Sequence, residues 1–172
     1  MILLFFGSFN PVHKGHILVA SAALAQYTDS KVWFVLSAQN PFKNRNDLWD
    51  YGKRLDLLEK ALADEPKMEI CRIEDKLPKP SYTIDTLNII TSQYPAEKFL
   101  LLMGQDNLQE ITMWKDCEKI LEQFPVVVYP REGCRTYLSG NIPALPSNAK
   151  IIFLDAPLLD YSSTKIRNFV KK

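Results

Sequence analysis

The chain has 172 residues, enough to bury a substantial core in one domain and too few for a second full one. Hydrophobic residues make up 47% and charged residues 24%, the balance of an ordinary globular protein. The 21 basic and 20 acidic residues leave a net charge of +1, which excludes the electrostatic footprint of a nucleic-acid binder or of a protein held on anionic membranes.

The opening run MILLFF lacks a basic flank and is too short for a signal-peptide core. No stretch approaches the roughly 20 apolar residues that span a bilayer. Cys71, Cys117 and Cys134 are odd in number and form neither a CxxC pair nor a zinc spacing, which suits ordinary thiols in a reducing, cytoplasmic setting. The first strand is expected at 2–6 (ILLFF), followed by a turn and a helix at 15–27. A second strand, KVWFVL (31–36), leads into the irregular stretch SAQNPFKNRNDLWD (37–50), read as a flap over a site. In the helix at 52–64, Leu55, Leu58 and Leu62 make one apolar stripe. Strands at 68–73, 98–103, 125–129 and 150–154 then alternate with helical stretches at 82–94, 105–122 (with a break) and 163–171. The segment 130–149, rich in Pro, Gly, Ser and Asn, reads as a long surface loop.

Several of these strands are continuously apolar, the pattern of strands buried on both faces of a parallel sheet. Alternating strands and helices therefore predict an α/β, Rossmann-like, doubly wound parallel sheet with helices on both faces, in a single domain over 1–172. Such sheets bind ligands at the carboxyl ends of their strands, near the topological switch point. That rule directs the search to the turn after the first strand.

Both histidines of the chain stand in that turn, GSFNPVHKGH (7–16), three residues apart. Two histidines in isolation would ordinarily be surface or helix-capping groups. Their setting between glycines and a proline favours a site. Gly7 permits close approach of backbone to a ligand, and Pro11 stiffens the turn by fixing its φ. Gly15 leaves room beside the helix N-terminus, where free N–H groups and the dipole favour anions. His13 and His16 are then placed to donate to phosphoryl oxygens as charge builds in a transition state. Neither a GxxxxGK[ST] loop nor a GxGxxG turn after a strand is present. Near the other end, YSSTKIR (161–167) offers Ser162 as an N-cap, hydroxyls on Ser163 and Thr164, and Arg167 about one turn on. Such a helix start with an Arg suits polyphosphate oxygens, although taken alone it is also an ordinary capped helix.

Together these two segments resemble the signatures GxFxPxHxGH and SSTxIR of the HxGH nucleotidyltransferase family. Three more segments make the chain similar, from end to end, to the bacterial nicotinate-mononucleotide adenylyltransferases. They are SYTIDTL (81–87), MGQDNL (103–108) with Trp114 eight residues beyond Asp106, and YPREG (129–133). The resemblance implies that His13 and His16 contact the α-phosphate of ATP, with Gly7, Ser8 and Phe9 lining the turn. It implies that Gly104 and Asp106 border the adenosine, and that Ser162, Ser163, Thr164 and Arg167 hold the adenylate and the departing pyrophosphate. Thr83 and Trp114 would form a pyridine pocket, and Lys43 would reach the phosphate of the mononucleotide. On the residues alone, Trp114 is equally a core side chain and Asp106 a helix N-cap. The chain departs from the family at Phe6, where a glycine commonly precedes Gly7, and at Phe42, where a histidine is common.

The implied reaction joins ATP, carried with Mg²⁺, to nicotinate mononucleotide, giving nicotinate adenine dinucleotide and pyrophosphate. The alternatives are another HxGH enzyme, such as a pantetheine-phosphate adenylyltransferase or a cytidylyltransferase, or a non-catalytic adenylate-binding module. No nucleic-acid or membrane partner is expected, and the residues do not choose between a monomer and a homo-oligomer.

Overall fold

Strand β1 (Ile2–Gly7) lies between β2 (Lys31–Leu36) and β4 (Phe99–Gly104), all three pointing the same way. In the computed structural model, which describes residues 1–39, 47–131 and 145–158, they belong to one six-stranded sheet. Its order is β3-β2-β1-β4-β5-β6, with β3 at Met68–Cys71, β5 at Val126–Tyr129 and β6 at Ile151–Phe153. Every pairing is parallel. Successive strands run outward from β1 to β3, and the chain then returns across β1 to begin β4. The switch point is therefore the boundary between β1 and β4.

The apolar runs that predicted these strands alternate between the two faces of the sheet. Ile2 and Leu4 of β1, Leu101 and Met103 of β4, and Val126 and Val128 of β5 face one core. Leu3 and Phe5, Leu100 and Leu102, and Val127 and Tyr129 face the other. Helices α1 (Lys14–Gln26) and α2 (Tyr51–Leu62) cover the second face through Val19, Ala20, Ala23, Leu58 and Leu62. Helices α3 (Thr83–Gln93) and α5 (Cys117–Gln123) cover the first through Ile84, Leu87, Ile90, Ile120 and Leu121. The doubly wound expectation is met.

The predicted apolar stripe of α2 holds at Leu58 and Leu62, with Leu55 packed partly against the same core. The expected break within 105–122 separates α4 (Gln105–Gln109), a 3₁₀ turn at Ile111–Met113, and α5. Strand β3 stops short of the predicted 68–73. The chain turns there into a 3₁₀ segment, Ile73–Lys76, and Glu74 points inward to accept hydrogen bonds from Ala38 and Ser81. No helix among the described residues is long and apolar enough to cross a membrane. The terminal helix expected at 163–171, Cys134 and most of the loop expected at 130–149 lie outside the described residues.

Burial sets the energetic value of each apolar side chain. Leu101 is 1% exposed in the middle of the sheet, whereas Leu18 on α1 is 43% exposed. Leu101→Ala is expected to cost about 2–5 kcal/mol through lost transfer energy and the cavity left behind. Leu18→Ala is expected to stay within about 0.5 kcal/mol of the parent. Urea denaturation of both variants measures the contrast.

Candidate active site

Beyond Gly7 the chain leaves the sheet at the switch point, and its first residues are locked in place by aromatic packing. Phe9 has φ of 39°, a left-handed conformation that a phenylalanine rarely adopts. Its buried ring packs edge-on against Phe5 (centroids 5.6 Å apart) and His16 (5.1 Å). A Cβ on residue 7 would lie 2.8 Å from that ring, so glycine is required where the ring crosses β1. The Phe9 side chain thus backs the site from the core, and only its backbone faces the turn. Ser8 is 3% exposed, and its Oγ has no hydrogen-bond partner among the described residues. A buried hydroxyl left so carries a desolvation penalty of about 1–3 kcal/mol that a ligand oxygen would relieve.

The two histidines open α1 as a stacked pair, their ring centroids 3.8 Å apart and their planes inclined by 31°. His13 is the N-cap residue, and its backbone N–H donates to Nδ1 of His16 over 3.1 Å. An accepting Nδ1 carries no proton, so the neutral His16 ring is protonated at Nε2. The capping and catalytic readings of this motif are therefore compatible: the cap selects the tautomer. Burial, followed by the nearby Arg131 cation, pulls His13 down from 6.5 to about 4. It is thus a neutral imidazole at physiological pH.

Gly104 closes β4 and caps the short helix α4. A side chain on it would collide with the Asp106 carboxylate. The N-cap of α4 is Gly104 and not Asp106, which lies two residues further on in the first turn and pairs with Arg131 Nε over 3.1 Å. Gln105 turns inward and accepts the Arg131 backbone N–H over 3.0 Å. Pairing of Gly104 with Tyr129 sets the ends of β4 and β5 side by side and brings Arg131 to this corner. The reading of YPREG assigned Arg131 no role. Its signal was a basic residue two places beyond a buried strand, at the ligand-binding end of the sheet.

Thr83 is the first residue of α3, after Tyr82, which supplies no side-chain cap. Trp114 follows the 3₁₀ turn and is half-buried against the same core cluster as Tyr82. Lys115 joins the two elements, its Nζ 3.0 Å from Asp85 Oδ2 and 4.8 Å from the centre of the Tyr82 ring. It neutralises the acid in the first turn of α3. Among the described residues no group of three or more His, Cys, Asp and Glu is placed to hold a metal ion. Lys43 and Phe42 of the flap, and Ser162, Ser163, Thr164 and Arg167, lie outside the described residues.

The depression of His13 is testable by NMR. Its ring is expected to titrate with a midpoint near 4 rather than 6.5. Arg131→Met is expected to raise that midpoint only partly, because burial is the larger cause. Since the folded value lies below the unfolded one, the unfolded chain binds more protons between them. The His13 contribution to stability is therefore complete above pH 6.5 and is lost as the pH falls toward about 4. A midpoint near 6.5 would contradict the packing described.

Comparison with known proteins shows the family of the chain. The cytidylyltransferase-like family model matches residues 4–169. A probable nicotinate-nucleotide adenylyltransferase of Cytophaga hutchinsonii is 44% identical over 98% of this chain and 85% of its own length. Its counterpart in Porphyromonas gingivalis is 40% identical over 97% of this chain and 82% of its own. The structure of Plasmodium falciparum nicotinic acid mononucleotide adenylyltransferase complexed with NaAD shares the fold. Its TM-score is 0.79 at 18% identity, covering 98% of this chain and 83% of that one. The chain belongs to the cytidylyltransferase-like family, among the nicotinate-nucleotide adenylyltransferases.

Proposed function

We propose that residues 1–172 act as one nucleotidyltransferase domain that transfers AMP from ATP to nicotinate mononucleotide, releasing pyrophosphate and forming nicotinate adenine dinucleotide. The observation that carries the catalytic reading is the hydrogen bond from the His13 backbone to His16 Nδ1, which leaves His16 with a proton on Nε2 to donate. The attacking group is an ionised phosphate, so the reaction needs alignment and charge stabilisation more than a strong base. His16 Nε2–H would donate to an oxygen of the α-phosphate as negative charge grows there. His13, held neutral, would contribute a hydrogen bond and no charge, while Arg131 supplies positive charge at the same corner.

Gly7, Ser8 and Phe9 would present backbone and one buried hydroxyl to the nucleotide, and Gly104 and Asp106 would border its adenosine. Ser162, Ser163, Thr164 and Arg167 keep their implied role on the adenylate and pyrophosphate, and Lys43 its role on the mononucleotide phosphate. Mg²⁺ would arrive as the counter-ion of ATP, consistent with its preference for substrate phosphates and water over an all-protein cage. The free thiols Cys71 and Cys117 suit a cytoplasmic setting. In the pyridine pocket the start of α3 at Thr83 favours a carboxylate through its N–H groups and dipole, with Asp85 neutralised by Lys115. Trp114 would stack on the ring without reading its charge.

Pyrophosphate release from ATP and nicotinate mononucleotide tests the reaction. In that assay His16→Ala is expected to fold normally and lose about two to three orders of magnitude in kcat, the range for one lost transition-state donor. Near-normal turnover would overturn its role. Trp114→Ala is expected to weaken the acid and amide mononucleotides alike, by about 1–3 kcal/mol of lost stacking. Preference for the acid should persist in that variant, as measured by kcat/KM for the two substrates. Loss of the preference would place discrimination in the indole and not in α3.

A further inference from the structure

Arg54 and Glu74 are the two buried charged side chains among the described residues, 1% and 2% exposed, and neither belongs to the site described above. Arg54, on α2, gives all of its described hydrogen bonds to backbone carbonyls. Nη1 donates to Ser8 (2.7 Å) and Ser37 (2.8 Å), Nη2 to Ala38 (3.2 Å), and Nε to Trp49 (3.0 Å). It therefore fastens the turn after β1 to the chain leaving β2.

Glu74 grips the same chain, also at Ala38. Its Oε2 accepts from the Ala38 N–H (3.2 Å) and from Ser81 Oγ (2.5 Å), and its Oε1 accepts from Thr86 Oγ1 (3.1 Å). Ser81 and Thr86 flank Thr83 at the start of α3. Ala38 is thus held at its N–H by the anion and at its carbonyl by the cation. An unbroken chain of hydrogen bonds runs from Ser8, through Arg54, Ala38 and Glu74, to α3.

We propose that Arg54 and Glu74 are positioning residues that hold the nucleotide turn and the pyridine pocket in a fixed relation, through their shared grip on Ala38. This rests on the assignment of the two subsites made above. Burying two charges is costly, and apolar residues of similar size commonly serve stability as well or better. Their hydrogen bonds converge on the backbone of one subsite and on the helix start of the other, which is the expected pattern for alignment. Adenylyl transfer is sensitive to such alignment, since displacement of one reactant by about 1 Å can cost about a hundredfold in rate.

The two residues make separable predictions. Glu74→Gln keeps the shape of the side chain but removes its charge and one acceptor. It is expected to raise KM for nicotinate mononucleotide about tenfold, with KM for ATP within about twofold, because Ser8 remains held by Arg54. Arg54→Lys replaces the planar fork by a single ammonium that cannot span its carbonyls. It is expected to lower kcat about tenfold or more and to raise both KM values. The double variant should lose less kcat/KM than the product of the single losses, since both release the same peptide. The double substitution Ser81→Ala/Thr86→Val cuts both links from Glu74 to the α3 start without touching either charge and should raise the mononucleotide KM alone, about threefold or more.

Folded variants with unchanged kinetics, or a Glu74→Gln variant whose two KM values rise together in step with a lower Tm, would reduce the pair to a stabilising contact. The Ser81→Ala/Thr86→Val variant decides the matter if the charge variants fail to fold: an unchanged mononucleotide KM overturns the proposal. His16→Ala and Trp114→Ala, assayed in parallel, distinguish the levels. If they are impaired while the Glu74 and Ser81/Thr86 variants are normal, positioning alone is wrong. If those two are themselves normal, the subsite assignment is wrong.

Discussion

Burial of β1 on every side is the constraint on which the site depends. Its edges are occupied by β2 and β4, and its faces by two separate cores. A parallel strand so enclosed can place polar groups only where it ends, and every strand of the sheet ends on the same side. Gly7 and Gly104 finish neighbouring strands there; from the first the chain passes through the turn at 8–13 into α1, and from the second directly into α4. The two helix starts and Arg131, just beyond β5, consequently meet in one corner.

The histidine motif illustrates how packing becomes chemistry. Phe9, forced into a left-handed conformation, fills the space over Gly7 and supports the His16 ring from behind. The cap from the His13 backbone then fixes the protonation of that ring. Burial of His13 removes a charge that would otherwise crowd Arg131, leaving the cation to its exposed carboxylate partner Asp106. Each step follows from the one before: steric need sets the conformation, conformation sets the hydrogen bond, and the hydrogen bond sets which nitrogen donates.

The polar interior follows a different logic. Most buried side chains here are interchangeable in kind, since an apolar residue of similar volume would preserve much of the packing. Arg54 and Glu74 are not interchangeable in that sense. Their partners are specific carbonyls, one backbone N–H and two hydroxyls, and removing either side chain would leave those buried groups unsatisfied. A core containing such a pair is less tolerant of substitution and more definite in geometry, a useful property where two substrates must meet end to end.

The sequence by itself determined the strands, the doubly wound class and the histidine turn. A fully buried strand is a continuous apolar run, an amphipathic helix is a stripe, and a turn with two glycines and a proline is written in adjacent residues. Those are properties of neighbours along the chain. It gave less at the site. His13 and His16 stood out as a motif, but the tautomer of His16 and the neutrality of His13 depend on distances and burial. Arg131 and Asp106, 25 positions apart by their numbering, meet because β4 pairs with β5. Arg54 stood at the head of the Leu58 and Leu62 stripe, a charge on a buried face, yet its acceptors lie as far as 46 residues away. Glu74 likewise reaches 36 residues back to Ala38. Only the tertiary structure decided these partners, because a hydrogen bond is fixed by which segments come within about 3 Å, and that depends on the packing of the whole sheet.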